Sequence, residues 1–269
     1  MPSVTARDAA QRPVTGGPRQ PPGPPWPTPK PRGCNCPWPM VLLLLLAAAP
    51  MHSRLVTEHG PVHVAIPPCS GRSADARGTR AAPPQADGAC GSAPRAGAPQ
   101  VTVVYVHGFW TNVDDAWVQH RLGEQLGGVE AVVIAPEAPS GPGQQVRWPH
   151  LDALLKEVEA RTGVKLPETV IAIGHSGAYR TLEGWTSDDR VKSVVLLDAF
   201  YGSAQPWERF AGDLRIVARH TAKRSAPFCD RHTQVHCETT DLSHMAIVTS
   251  GSVIPRVLRE AVAAVLPRT

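Results

Sequence analysis

The chain has 269 residues and a formal net charge of +4, from 27 Lys and Arg against 23 Asp and Glu. No basic stripe interleaves with aromatic residues, so the composition argues against nucleic-acid binding. Its 29 prolines and 23 glycines are spread unevenly, which divides the chain into stretches too poor in apolar residues to fold and one able to bury a sizeable core.

Residues 1–39 read as a low-complexity leader, with 12 prolines among the first 40 residues, and this leader is expected to be disordered. The apolar run Met40 to Ala49 then reads, over 40–50, as the core of an export signal. It is too short to span a bilayer as a stable helix. Lys30 and Arg32 lie upstream, and Ala47-x-Ala49 offers a small-residue cleavage pattern just before Pro50. A start at Met40 would account for the proline-rich stretch ahead of it. The expected destination is the periplasm or the medium, with the cytoplasm as the alternative in which the run is a buried element.

Residues 51–99 hold a hairpin over Leu55 to Ile66, expected to turn at Gly60-Pro61 and add edge strands, followed by a linker. From residue 100 strands and helices alternate. Val101–Val106 is a strand, and Asp114-Asp115 caps a helix carrying Ala116, Trp117, His120, Leu122 and Leu126. Ala131–Ala135 is a strand stopped by Pro136, and the Pro- and Gly-rich stretch up to Pro149 reads as a rim loop. Leu151, Leu154, Leu155 and Val158 recur at helical spacing, and Gly163 ends that helix. Strands follow over 169–173, 193–197 and 214–218, and Ser252 opens a last helix that buries Val253, Val257, Leu258, Ala261, Val262 and Val265. Alternation of this kind predicts an α/β fold with a mainly parallel sheet, whose sites form at the carboxyl edge.

Cysteine usage agrees with export. Beyond the signal remain Cys69, Cys90, Cys229 and Cys237, an even number that suggests disulfides. The expected pairs are Cys229–Cys237 and Cys69–Cys90. The segment Cys229 to Cys237 also contains His232 and His236, which makes zinc a rival reading. Adjacent His236 and Cys237 close one tetrahedral site poorly, so no metal and no cofactor is expected.

The strand over 169–173 runs into Gly174-His175-Ser176-Gly177-Ala178. A strand that turns sharply around a serine and enters a helix lifts the hydroxyl clear of the backbone and sets free N–H groups beside it. Three segments extend the pattern. His107-Gly108-Phe109-Trp110 follows the first strand, Asp198 ends the strand over 193–197, and Asp241-Leu242-Ser243-His244 precedes the last helix. The order is oxyanion loop, serine, acid and histidine.

In these motifs, the stretch from about residue 100 to 269, about 170 of the 269 residues, resembles a compact α/β-hydrolase. The resemblance implies a serine hydrolase that cleaves an ester, or an amide, through an acyl-enzyme. Catalytic roles fall on Ser176 as nucleophile, His244 as base and Asp198 as acid. The amides of Phe109 and Gly177 would form the oxyanion hole. Trp110 and His175 would line the substrate pocket, while His107 is structural. The partner is a small-molecule or extended acyl substrate. An acyltransferase on the same triad, or an inactive hydrolase-fold binding protein, is the alternative. The sequence departs from the family pattern twice. Ala178 stands where a glycine is usual, and the acid lies one strand earlier than in most relatives. The strand over 214–218 is followed by His220 and no carboxylate before Asp230, so Asp198 is the expected acid and Asp230 its rival.

Overall fold

The computed structural model describes residues 50–67 and 100–267. The leader, the apolar segment up to Ala49, the linker and Cys69 and Cys90 lie outside the described residues.

The hairpin forms as β1 (Met51–Thr57) and β2 (Gly60–Ile66), paired antiparallel with Leu55 opposite Val62 and Thr57 opposite Gly60. It turns at Glu58-His59, just before the expected Gly60-Pro61. The Thr57 hydroxyl decides this: it donates to the Gly60 carbonyl at 2.6 Å and accepts from the His59 amide at 3.2 Å.

β3 (Val101–Val106) leads to α1 (Val113–Gln119) and α2 (Leu122–Leu126). One helix was expected here, but Arg121 takes a left-handed φ of 49° and breaks it in two. The cap of α1 is Asn112, whose side chain accepts from the Asp115 amide at 2.8 Å, and not the Asp114-Asp115 pair. Asp114 instead receives two bonds from Arg54 and one from His63. That fastens the edge hairpin to α1.

β4 (Ala131–Pro136), α3 (Leu151–Thr162) and β5 (Val170–His175) follow. A 3₁₀ turn over Ser176–Ala178 leads into α4 (Tyr179–Trp185), then β6 (Val191–Leu197), α5 (Gln205–Arg209) and β7 (Asp213–Ala218). Cys229 lies in α6 (Ala222–Arg231) and Cys237 in β8 (His236–Thr239). The two sulfurs form a disulfide, so no thiolates remain for the zinc reading of this segment. α7 (Ala246–Thr249) and α8 (Val253–Val265) complete the order.

The eight strands form one sheet in the order β1-β2-β4-β3-β5-β6-β7-β8. Strands β3 to β8 all run parallel to one another, and the β1–β2 and β2–β4 pairings are antiparallel. Alternation along each strand explains why the runs are apolar throughout. Val104, Val106, Val132, Ile134, Val170 and Ala172 enter one core with α3, α4 and α6 residues. Val103, Tyr105, Val133, Ile171, Ile173 and Val195 enter the other, under α1, α2, α7 and α8. A strand covered on both faces has no polar side to show.

Register brings the site together. Val106 pairs with Gly174, and His175 pairs with Leu197. His107 therefore lies beside His175, and Ser176 and Asp198 each stand one residue past a shared register position.

The disulfide closes a loop with a sequence separation of 8. Replacing both cysteines by serine should lower unfolding stability by about 2–3 kcal/mol, from the chain entropy restored to the unfolded state. Urea unfolding of parent and double variant measures this; equal midpoints would show that α6 and β8 need no tether.

Candidate active site

Ser176 has φ 52° and Asp198 has φ 48°. Both are left-handed conformations that L-residues seldom adopt. At Ser176 the chain leaves β5 and enters the 3₁₀ turn, the sharp bend that exposes a hydroxyl above a parallel sheet.

Gly108 and Gly177 are required by close approach. A Cβ on Gly108 would lie 2.8 Å from the Ser176 Cβ. On Gly177 it would lie 2.4 Å from Cδ1 of the Phe109 ring. The His107–Trp110 loop thus folds directly onto the serine turn, bringing Phe109 and Gly177 together. His107 anchors this loop. Its Nδ1–H donates to the Gly108 carbonyl at 2.8 Å, and its Nε2 accepts from the Ala138 amide at 2.9 Å. Both ring nitrogens serve the backbone.

Asp198 is fully buried, and its two oxygens have separate tasks. Oδ1 accepts from the amides of Arg219 and Thr221 at 3.0 and 2.9 Å and from the Thr221 hydroxyl at 3.0 Å. Oδ2 accepts from His244 Nδ1 at 2.7 Å. Burial alone would raise this carboxyl. The bonds from His244, Thr221, Arg219 and His220 outweigh it and hold the group well below the ordinary carboxylate range. Asp198 thus holds the β7–α6 connection with one oxygen and His244 with the other. Asp230 lies in α6, and among the described residues no hydrogen bond joins it to His244.

His175 was expected at the pocket wall. It is only 3% exposed and packs between two other histidines. Its ring lies 4.4 Å from that of His244 and meets His120 edge-on at 5.8 Å. Nε2–H of His175 donates to the His244 carbonyl at 3.1 Å, so the residue next to Ser176 tethers the loop that carries His244. Burial, with His244 and His120 adding repulsion, pushes His175 down to about 3. Burial and His107 push His120 down to about 4, and the Tyr105 hydroxyl pairs with its Nδ1 at 2.8 Å. Trp110 is 85% exposed, and its amide donates to the Ser140 carbonyl at 2.8 Å.

Sequence reasoning gave no role to His220. Its Nδ1 lies 3.3 Å from the same Asp198 Oδ2 that holds His244, and the two imidazoles are 5.4 Å apart. Its place two residues past β7, where the family resemblance led one to look for an acid, was the available signal.

No protein-family model matches the sequence, and neither does any curated protein sequence. Solved structures do match in fold. Fluorophosphonate-binding serine hydrolase F of Staphylococcus aureus is 12% identical with a TM-score of 0.52, covering 80% of this chain and 98% of its own. A CIB-like hydrolase from Thermoplasma acidophilum is 11% identical with a TM-score of 0.52, covering 79% and 97%. An esterase from Pyrococcus furiosus is 10% identical with a TM-score of 0.50, covering 80% and 91%. The chain has the α/β-hydrolase fold.

The buried histidines set a pH dependence of stability. Their folded pKa values, about 3 and about 4, lie below the value of about 6.5 that an unfolded histidine has. Between these limits the unfolded chain binds protons that the folded chain refuses, so stability falls as pH falls. Each ring contributes a slope of up to about 1.4 kcal/mol per pH unit. His175→Gln keeps a donor for the His244 carbonyl and removes one titrating ring. Melting temperature followed from about pH 6.5 down to 4.5 should therefore fall less steeply in His175→Gln than in the parent. Parallel slopes would mean that this ring already takes up its proton in the folded state.

Proposed function

We propose that the protein is a serine hydrolase that cleaves an ester, with an amide the lesser case, through an acyl-enzyme formed on Ser176. The observation that carries this reading is the bond from His244 Nδ1–H to the buried Asp198 carboxylate, beside a serine in a left-handed turn. That bond fixes the tautomer in which His244 Nε2 is free to take a proton.

In the proposed reaction His244 Nε2 removes the proton of the Ser176 hydroxyl as Oγ attacks the acyl carbon. Asp198 stabilises the imidazolium that forms. The amides of Phe109 and Gly177 meet the developing oxyanion, because loop and turn are in contact where the 3₁₀ turn begins. His244 then returns the proton to the leaving alcohol, and water repeats the sequence to release the acid. The exposed indole of Trp110 is the proposed edge of the substrate site. Small-molecule acyl substrates suit the reading. Among the described residues no helix is long and apolar enough to cross a membrane. Export to the periplasm or the medium is proposed alongside, and the disulfide supports it.

Ser176→Ala should reduce turnover of an activated ester by up to about 10⁶ while circular dichroism stays that of the parent. Residual activity within about tenfold would remove Ser176 from the reaction.

His244→Gln should abolish most ester turnover while circular dichroism stays that of the parent. Activity within about tenfold of the parent would assign the base elsewhere.

The acid is tested by a pair. In Asp198→Asn the retained oxygen can keep the three loop bonds, while the new amide faces His244 as a donor and forces the wrong tautomer. The expected loss is about 10⁴ in kcat with the fold intact. Asp230→Asn should stay within about tenfold of the parent. The reverse outcome moves the acid to Asp230.

A further inference from the structure

We propose that Asp198, His220 and His244 also form a binding site for one divalent transition-metal ion of the zinc type, and that its occupancy stops the hydrolytic reaction. The inhibitory part rests on His244 acting as the base; the binding part does not.

The three side chains each offer one ligand atom, and these atoms lie within 4.8 Å of one another. Zinc binds histidine nitrogen and carboxylate oxygen at about 2.0–2.1 Å, which sets neighbouring tetrahedral ligands about 3.3 Å apart. His220 Nδ1 and Asp198 Oδ2 are 3.3 Å apart already. His244 Nδ1 and the same oxygen are 2.7 Å apart, so accommodation there needs a shift of only about half an ångström. The carboxylate is held in place by the three donors on Oδ1, the kind of support that orients a metal ligand. His220 is 60% exposed, which opens a path from solvent. Three protein ligands leave a fourth position for water. Two imidazoles and one carboxylate favour zinc over magnesium or calcium, which prefer shells of oxygen.

The inhibition follows from the tautomer. Metal bound at His244 Nδ1 occupies the lone pair of that nitrogen, in place of its hydrogen bond to Asp198. The ring stays neutral, and its single N–H proton passes through water from Nδ1 to Nε2. His220 binds through Nδ1 as a neutral ring that carries its hydrogen on Nε2. Nothing is oxidised or reduced, and no net proton is released. His244 Nε2 then carries hydrogen, so it has no lone pair with which to take the serine proton. His220 thereby gains a purpose that the hydrolytic reaction does not give it.

The test uses the full chain carrying Ser176→Ala, titrated calorimetrically with zinc chloride and, separately, with magnesium chloride. Zinc should bind at a site that magnesium does not fill. Adding His220→Ala, or His220→Gln as a second replacement, should weaken that site at least about tenfold. In the serine-containing protein, zinc should lower ester turnover as the site fills, and a chelator should restore it. Each variant's activity with zinc is divided by its own activity without it; this ratio should fall for the parent and stay near one for both His220 variants. Unchanged zinc binding after His220 replacement overturns the proposal, as does a parent that binds no zinc. Full occupancy with undiminished turnover overturns the inhibitory part. A parent without ester turnover would instead defeat the catalytic reading, and calorimetry would still decide the metal site.

Discussion

The Asp198 carboxylate is the point on which the rest of the arrangement turns. It is fully buried, and a buried ionised carboxylate persists only when hydrogen bonds replace its water. Oδ1 gathers the start of the β7–α6 connection, and Oδ2 holds the loop between β8 and α7. The connections that leave the ends of the paired strands β7 and β8 are thus joined to the end of β6 through one side chain. Its rigidity comes from its place one residue beyond β6, itself paired on both sides by parallel strands.

A second set of contacts closes the arrangement from the opposite side. His175 pairs through the sheet with Leu197, the residue before Asp198, and donates to the carbonyl of His244. The serine turn is therefore linked to the acid and to the histidine loop through main-chain positions, and not only through the groups proposed to react. Pre-organisation of this kind is what an electrostatically assisted reaction needs, because reorientation then costs little as charge develops.

The sheet was legible in the sequence because its strands are covered on both faces. Val101–Val106, Ala131–Ala135 and the runs ending at Ser176 and Asp198 read as unbroken apolar segments and became β3, β4, β5 and β6. The last helix was legible from its apolar spacing and from Ser252. β8 was not, since its four residues are all exposed and carry no alternation; β7 alone makes it a strand, through pairing. The break between α1 and α2 was hidden for a similar reason: a single left-handed residue, Arg121, leaves no mark on hydrophobic period. At the candidate site, chain order and strand ends singled out Ser176, Asp198 and His244, which the fold brings to one edge of the sheet. The burial of His175 was not, because residues adjacent to a reactive serine look alike in sequence whether they face the cleft or the core. His220 escaped notice because its significance depends on a distance to Asp198 that only the fold supplies.

The left-handed backbone at Ser176 and Asp198 carries a consequence for how this chain can change. Each position holds a non-glycine residue where glycine would be more comfortable by roughly 1 kcal/mol. For Ser176, whose side chain is not among those that knit the fold together, the most stable replacement is also the one that removes the hydroxyl. Selection or engineering guided by thermal tolerance alone would drift toward glycine there and discard the proposed nucleophile. At Asp198 the same drift is opposed, because the bonds made by Oδ1 would be lost along with the side chain. The serine is thus exposed to erosion whenever its chemistry is not demanded, whereas the aspartate is retained by the architecture itself.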